Sequence, residues 1–267
     1  MTLLSEIKGA LSATDAAHAN HAADFAIVAE TEDLIVVDKP AFLLIHPSKP
    51  TAARTLWGEL KHLLAFELAN GGQVSIVNRL DRETSGLVLV AKNAATARRF
   101  GLLMQEQRIA KEYLAIVSGW PEWESQVVDA PLARQGVHLP SRIWLKQTIH
   151  PAGAPARTRF AVERRFVRGT AGQDRFSVIR ATPETGRTHQ IRVHLSSLGH
   201  PVVGDKIYGP DEGLYLEFIE TGWTPALQSR LLLPRHALHS AALKIEGNET
   251  WTSPLPADLR TFAGDAG

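Results

Sequence analysis

The chain has no cysteine among its 267 residues, which excludes disulfides, thiolate nucleophiles and Cys-based zinc or iron–sulfur sites. A reducing cytoplasm fits that composition and is the expected location. No run approaches the roughly 18 consecutive apolar residues of a membrane span. The longest strongly apolar stretches, such as GLVLVA at 86–91, are strand length, so no membrane partner is expected. Residues 1–24 lack the basic start and compact apolar block of a signal peptide and read as an Ala-rich extension, either mobile or a short helix. There is no glycine-rich phosphate loop and no serine in a nucleophile-elbow pattern, which disfavours nucleotide hydrolysis and serine esterase chemistry. Neither a fixed-period repeat nor a long Pro/Gly/Ser linker is present. One continuous domain over 25–262 is therefore the economical expectation.

Net charge is also nearly absent, at +1, but its distribution is uneven. From Arg142 to Arg192 there are ten Arg and one Lys against Glu163, Asp174 and Glu184, which makes this segment +8 and the remainder −7. A basic face able to track phosphates and a solvated Arg-rich pair of strands are equally good readings of that charge.

Runs rich in β-branched and aromatic residues, bounded by Gly, Pro or Asp, predict strands at 25–30, 34–39, 86–92, 111–119, 175–183 and 238–247. Three segments predict helices. In 55–72, Leu56, Leu60, Leu63, Leu64 and Leu68 share a face and Gly71 supplies the stop. In 93–107, Asn93 caps and Ala97, Phe100, Leu103 and Met104 face inward. In 185–201, Thr188 is the expected N-cap, Ile191, Leu195 and Leu198 form the buried stripe, and Gly199 with Pro201 marks the end. Strands and helices are interspersed without regular βαβ alternation, which favours an α+β sheet.

Two polar concentrations could carry chemistry. The first, Asn78, Arg79, Asp81, Arg82, Glu83, Thr84 and Ser85, precedes the apolar strand GLVLVAK. A rigid strand fixes groups at its mouth, and Asp81 is the candidate acid or nucleophile. A turn bonding its own backbone is the commoner use of those residue types and takes precedence on residue type alone. The second is Arg187, His189, Gln190, Arg192 and His194 at the third helix. Its helical period places Arg187, Gln190 and His194 on the exposed face and Arg192 beside the buried stripe, where a guanidinium can hold a carboxylate. The N–H groups at that helix start favour phosphate. His189, His194 and His200 are spaced wrongly for one helical face, so no metal site is expected.

These residues resemble a family. NRLDRETSGLVLVAK at 78–92 is similar to the signature of the RluA-type RNA pseudouridine synthases. LIVVDKPAFLLIHPS at 34–48, the Lys-x-Tyr of KEYLAIVSG, ETGRTHQIRVHLSSLGHPVVGDKIYG at 184–209 and ALHSAALKI near the end match in the expected order. The resemblance implies a long mixed, mainly antiparallel sheet flanked by helices, with a central active-site cleft. It implies isomerisation of uridine in rRNA or tRNA without a cofactor: the N1 glycosidic bond breaks, the uracil turns, and C5 joins the ribose. Asp81 matches the essential aspartate, which either attacks C1′ or removes a sugar proton, both needing an ionised carboxylate. Arg192 matches the arginine paired with it, a pairing that lowers a carboxylate pKa by roughly 1 to 3. Tyr113 matches the tyrosine that stacks on the target base and takes part in handling the C5 proton. Arg79 matches the residue that fills the space left by the flipped nucleotide. Arg187, His189 and Gln190 fall in the motif expected to bind substrate.

Asn78 replaces the family's usual His, which is expected to loosen the arrangement behind Arg79. Phe42 stands where Gly usually follows the Lys-Pro turn, so a different loop path is expected. No S4-type RNA-binding module is seen before these blocks, which leaves substrate selection to the catalytic domain. Trp144, in an Arg-rich loop, reads either as a base-stacking ring or as one packed beneath arginine stems. A monomer is expected, because one cleft can grip RNA. Two rivals stand beside the synthase: a hydrolase that cleaves the glycosidic bond and releases base, and a non-catalytic RNA-binding factor with no need of Asp81, Tyr113 and Arg192 together.

Overall fold

A computed structural model describes residues 25–47, 54–169, 174–247 and 250–265; the expected extension over 1–24 lies outside them. In chain order the elements begin with strands β1 (Ala26–Glu30) and β2 (Leu34–Lys39), helices α1 (Leu56–Leu63) and α2 (Ala65–Ala69), and strands β3 (Ser75–Ile76) and β4 (Ser85–Ala91). Helix α3 (Ala94–Gln105) precedes β5 (Ile109–Ser118), β6 (Ser125–Asp129), β7 (Leu132–Arg134), α4 (Gln135–His138), β8 (Gln147–Ile149), β9 (Arg157–Arg168) and β10 (Asp174–Pro183). The chain ends with α5 (Gln190–Ser197), α6 (Gly213–Thr221), α7 (Pro225–Leu231), β11 (Leu238–Ile245), β12 (Thr250–Thr252) and α8 (Ala257–Ala263). The fold is α+β, and no helix among the described residues is long and apolar enough to cross a membrane.

The described chain forms two compact units, one of residues 25–114 with 238–260, the other of residues 115–237 with 261–265. In the first, β2 pairs antiparallel with both β1 and β4, and β11 pairs parallel with the start of β4, making a mixed sheet. All seven residues of β4 are buried. Leu87 and Leu89 pack with Val36, Phe100, Leu243 and Trp251, which explains why the strand reads as a continuous apolar run instead of an alternating one. Gly86 meets Ser240 at the β4–β11 junction with φ +110°, and a Cβ there would lie 2.3 Å from the Ser240 carbonyl oxygen. Only glycine permits that approach. Helix α1 is capped by the Thr55 hydroxyl, which accepts from the Gly58 N–H. The predicted single helix over 55–72 breaks at Leu64, and Leu63, expected inside, is exposed.

In the second unit β10 pairs with β9 from Asp174↔Arg168 to Pro183↔Thr158, and β6 pairs with the other edge of β9. β7 and β8 form a separate hairpin. Its roots, Leu132 and Ile143, are buried with Val193, Ile207 and Tyr208.

Candidate active site

Asp81 lies on the loop that enters β4, and the loop is tied down on both sides. The buried Asn78 amide donates to the Leu87 carbonyl at 3.0 Å and accepts from the Leu89 N–H at 2.8 Å. It therefore grips the backbone of the most buried strand of its unit. The expected loosening at Asn78 is not what this geometry does: a short amide reaches both backbone groups and fixes the chain just before Arg79. Exposure then alternates, with Leu80 buried, Asp81 half-buried and Arg79 and Arg82 exposed. The Thr84 N–H donates to the Asp81 carbonyl at 3.1 Å, so the turn reading of this segment is also realised. The turn's backbone bond leaves the role of the Asp81 carboxylate to its side chain.

On the other side stands the Lys-Pro turn. Lys39 is fully buried, and its ammonium donates to the carbonyls of Pro40 at 2.7 Å, Leu43 at 3.0 Å and Arg82 at 3.3 Å. Phe42 takes φ +70°, the left-handed backbone that glycine adopts freely and other residues hold at a cost of roughly 1–2 kcal/mol. The Phe42 N–H donates to the Arg82 carbonyl at 2.7 Å. Phe42 thus holds a backbone that glycine adopts freely, and the bond to Arg82 helps to fix it there.

Tyr113 is buried on β5, with its hydroxyl hydrogen-bonded to Ser240. Burial pushes the phenol up to about 12, the Ser240 bond opposes the rise, and the nearby Asp81 charge adds to it. The group is a neutral phenol at physiological pH, within electrostatic reach of Asp81. The Arg79 charge is also felt by His46, whose imidazole is held below its usual value first by burial and then by Arg79. Ser85 bonds His239 at 3.0 Å, and the other ring nitrogen of His239 meets the Ser253 carbonyl at 3.1 Å. Sequence reasoning singled out neither Lys39 nor Ser240, although a lysine before Pro inside an apolar strand carried a signal of burial.

The second concentration surrounds α5, and its predicted amphipathicity does not hold. Gln190, Ile191, Arg192, Val193, His194 and Leu195 are all buried. The N-cap is His189, at φ +57°, instead of Thr188. His194, expected in solvent, bonds Thr158 Oγ1 at 2.9 Å and the Ala130 carbonyl at 3.0 Å, and burial holds its imidazole below the usual value. Gln190, expected on the exposed face, accepts from the Thr185 hydroxyl and the Arg187 N–H and donates to the Arg157 carbonyl and Thr158 Oγ1. Its amide is spent inside the protein. A helix can be buried all round when each polar side chain finds such partners. Arg187 is exposed, with Nε donating to the Pro155 carbonyl at 3.0 Å, and His189 Nδ1 meets the Tyr208 hydroxyl at 2.8 Å.

Arg192 is held in a bidentate pair by Asp205, Nε to Oδ2 at 2.6 Å and Nη2 to Oδ1 at 2.8 Å. Asp205 Oδ1 also accepts from the Ile207 and Tyr208 N–H groups, each at 3.0 Å. Burial alone would raise the Asp205 carboxyl, but the Arg192 guanidinium, with His236 and the Tyr208 N–H, outweighs it and holds the group down at about 2. Asp205 was quoted within a motif but not read as a site residue. Its signal was an acid inside the apolar run VVGDKIYG. The basic segment is largely neutralised within the unit: Arg157 and Arg159 pair with Glu184, Arg164 with Asp265, Arg165 with Glu124 and Arg180 with Glu163.

Residues 33–197 match the family described as RNA pseudouridylate synthase. The chain is 35% identical over 251 residues to ribosomal large subunit pseudouridine synthase D of Nitrosomonas europaea, covering 92% of this chain and 66% of that protein. It is 35% identical over 238 residues to the protein of the same name from Pseudomonas aeruginosa, covering 87% and 69%. The chain thus spans about two-thirds of the length of these relatives. Among solved structures, human RNA pseudouridylate synthase domain containing 1 superposes with a TM-score of 0.62 at 26% identity, over 91% of this chain and 96% of that one. With the family matched over most of the chain and the fold shared with one of its solved members, the chain belongs to the RNA pseudouridylate synthase family, a family of isomerases.

Proposed function

We propose that this protein converts uridines of ribosomal RNA to pseudouridine in the cytoplasm, with Asp81 as the catalytic carboxylate. The observation that carries the proposal is the mounting of Asp81. It sits half-buried on a loop clamped by Asn78 to a buried strand and by Lys39 to the Lys-Pro turn, within electrostatic reach of a buried neutral tyrosine. Such rigid support is what a reacting group needs. Ribosomal RNA is preferred as substrate over tRNA because the bacterial relatives bear ribosomal names.

The reaction balances without a cofactor. The C1′–N1 bond breaks, the uracil turns within the site, a C1′–C5 bond forms, and the proton lost from C5 is matched by one gained at N1. Asp81 either attacks C1′ or takes a proton from the sugar. Tyr113 supplies a ring on which the uracil is held. With its phenol raised to about 12, it acts as a neutral stacking and hydrogen-bonding group in the free enzyme and not as a ready base. A role for Arg192 as the cationic partner of the catalytic carboxylate rests on the resemblance alone; within its own unit its guanidinium is held by Asp205. The exposed Arg79 enters the stack as the target base leaves it, offsetting an unstacking cost of a few kcal/mol. Arg187 contacts the RNA backbone, while His189 and Gln190 hold the start of α5 in place.

The test is tritium release from large-subunit rRNA transcribed with uridine labelled at C5. Wild type is expected to release tritium while retaining uracil in the RNA, and Asp81→Asn to release none. Free uracil among the products would replace the isomerase with a glycosidic hydrolase, and no release by wild type would leave only an RNA-binding factor.

A further inference from the structure

From Ala130 to Val162 the sequence contains no Asp or Glu, yet it carries Arg134, Arg142, Lys146, Arg157 and Arg159. Lys146, Arg157 and Arg159 find carboxylates from outside the stretch. Arg134 and Arg142 do not: among the described residues neither reaches a carboxylate. Both belong to the β7–α4–β8 hairpin. The Arg134 guanidinium lies over the Trp144 ring at 3.8 Å, and Trp144 is 77% exposed. Val137 and Leu139 on the same hairpin are exposed as well.

The ring is displayed, not loosely hung. Ile143, adjacent in sequence, is buried with Leu132, Val193, Ile207 and Tyr208, and the Gln147 N–H donates to the Tyr208 hydroxyl at 2.8 Å. The hairpin is thus anchored at its root while Trp144 projects into solvent with Arg134 over its ring and the exposed Arg142 two residues before it in sequence. An indole backed by a guanidinium is already ordered, so a flat partner docks on it with little further loss of side-chain freedom.

We propose that this hairpin is an RNA-docking arm, on which Trp144, backed by Arg134, stacks an unpaired base of the substrate RNA while Arg142 meets phosphate. The inference rests on the reading of RNA as substrate and adds a base-stacking contact on a part of the chain that carries none of the assigned catalytic residues. RNA is the occupant that satisfies both features at once. Its unpaired bases offer a π-face to the ring whatever the sequence, and its phosphates offer charge to arginines that no carboxylate among the described residues neutralises.

The test measures filter binding of a large-subunit rRNA transcript to the full chain at several salt concentrations, with pseudouridine formation scored on the same transcript. Trp144→Ala is expected to weaken binding by roughly 5- to 100-fold, and Trp144→Phe, which keeps a stacking face, by less than about threefold. Trp144→Ala leaves the dependence of log Kd on log salt unchanged, whereas Arg142→Gln reduces its slope by about one. Wild type that modifies the transcript while Trp144→Ala binds within about twofold of it overturns the docking arm alone. Wild type that binds without modifying, with Trp144→Ala weakened, keeps the arm and removes the isomerase reading. Wild type that does neither overturns both. A dimer in sedimentation that Trp144→Ala dissociates, with RNA affinity unchanged, also overturns the arm and assigns the surface to a second copy of the chain.

Discussion

Asp205→Asn preserves shape and removes one charge from a pair that is almost wholly excluded from water, with Arg192 and Asp205 side chains 5% and 0% exposed. The carboxylate makes two short bonds to Arg192 and accepts two backbone N–H groups. An asparagine can present one carbonyl oxygen to these donors, but its amide nitrogen then faces a guanidinium. Removing one member of a buried pair costs about 3–5 kcal/mol, a large share of the roughly 5–15 kcal/mol that separates native from unfolded protein. With a urea slope of about 2–3 kcal/mol per molar, the midpoint followed by circular dichroism falls by about 1–2 M. Arg192→Met combined with Asp205→Leu removes both charges at similar volume but strands the Ile207 and Tyr208 N–H groups, so a loss of about 2–4 kcal/mol is expected, and, on the proposed role of Arg192, no pseudouridine is formed. The acid limb supplies a further check. Asp205 titrates near 2 in the native state against an ordinary value of 3.8, so the native state binds fewer protons between these values. Its contribution is complete above about 4 and is lost as pH falls toward 2, and Asp205→Asn removes that part of the acid dependence. Unfolding of Asp205→Asn within about 1 kcal/mol of wild type would refute the reasoning.

Three other outcomes follow from the first unit. Gly86→Ala places a Cβ 2.3 Å from the Ser240 carbonyl oxygen at a backbone of φ +110°, and thermal melting is expected to show a loss of about 3 kcal/mol or more, or no soluble protein. Asn78→Ala strands the Leu87 carbonyl and the Leu89 N–H, and denaturation is expected to show a loss of about 2–4 kcal/mol, with tritium release falling as the Asp81 loop loosens. In an ultraviolet difference titration, Tyr113 remains un-ionised up to about 12, so Tyr113→Phe leaves the phenolate absorbance at pH ~10.5 unchanged relative to wild type; an equivalent fewer would contradict the burial argument.

What the sequence made legible was the set of strands whose cores are apolar and whose ends carry turn residues. The predicted strand at 34–39 is β2 itself, and the other five predicted strands match to within about two residues. β9 escaped because five arginines break any alternation over Arg157–Arg168. Four of them pair with acids on other segments and Arg168 donates to the Phe262 carbonyl, so the strand is held by partners that no local window contains. Helix α7 was legible but passed over: Thr224 caps it, Pro225 sits in its first turn, and Leu227 and Leu231 are spaced to bury one face.

The candidate site divides in the same way. Asp81, Arg79 and Tyr113 are recognisable from motif context because their neighbours in sequence define them. The groups that orient them come from afar, as with Ser240 behind Tyr113, or use a side chain in an unexpected way, as with the Asn78 amide gripping β4. Around α5 the helical period predicted an exposed polar face, and tertiary contacts from Thr158, Ala130 and Asp205 overrode it.

The central claim, that Asp81 makes this chain an rRNA pseudouridine synthase, is tested most directly by carbodiimide mapping of total RNA from cells lacking the gene, complemented with wild type or Asp81→Ala. One or a few large-subunit rRNA signals are expected to vanish on deletion and to return with wild type only. Return of the same signals with Asp81→Ala, or no change in any site on deletion, would contradict the account.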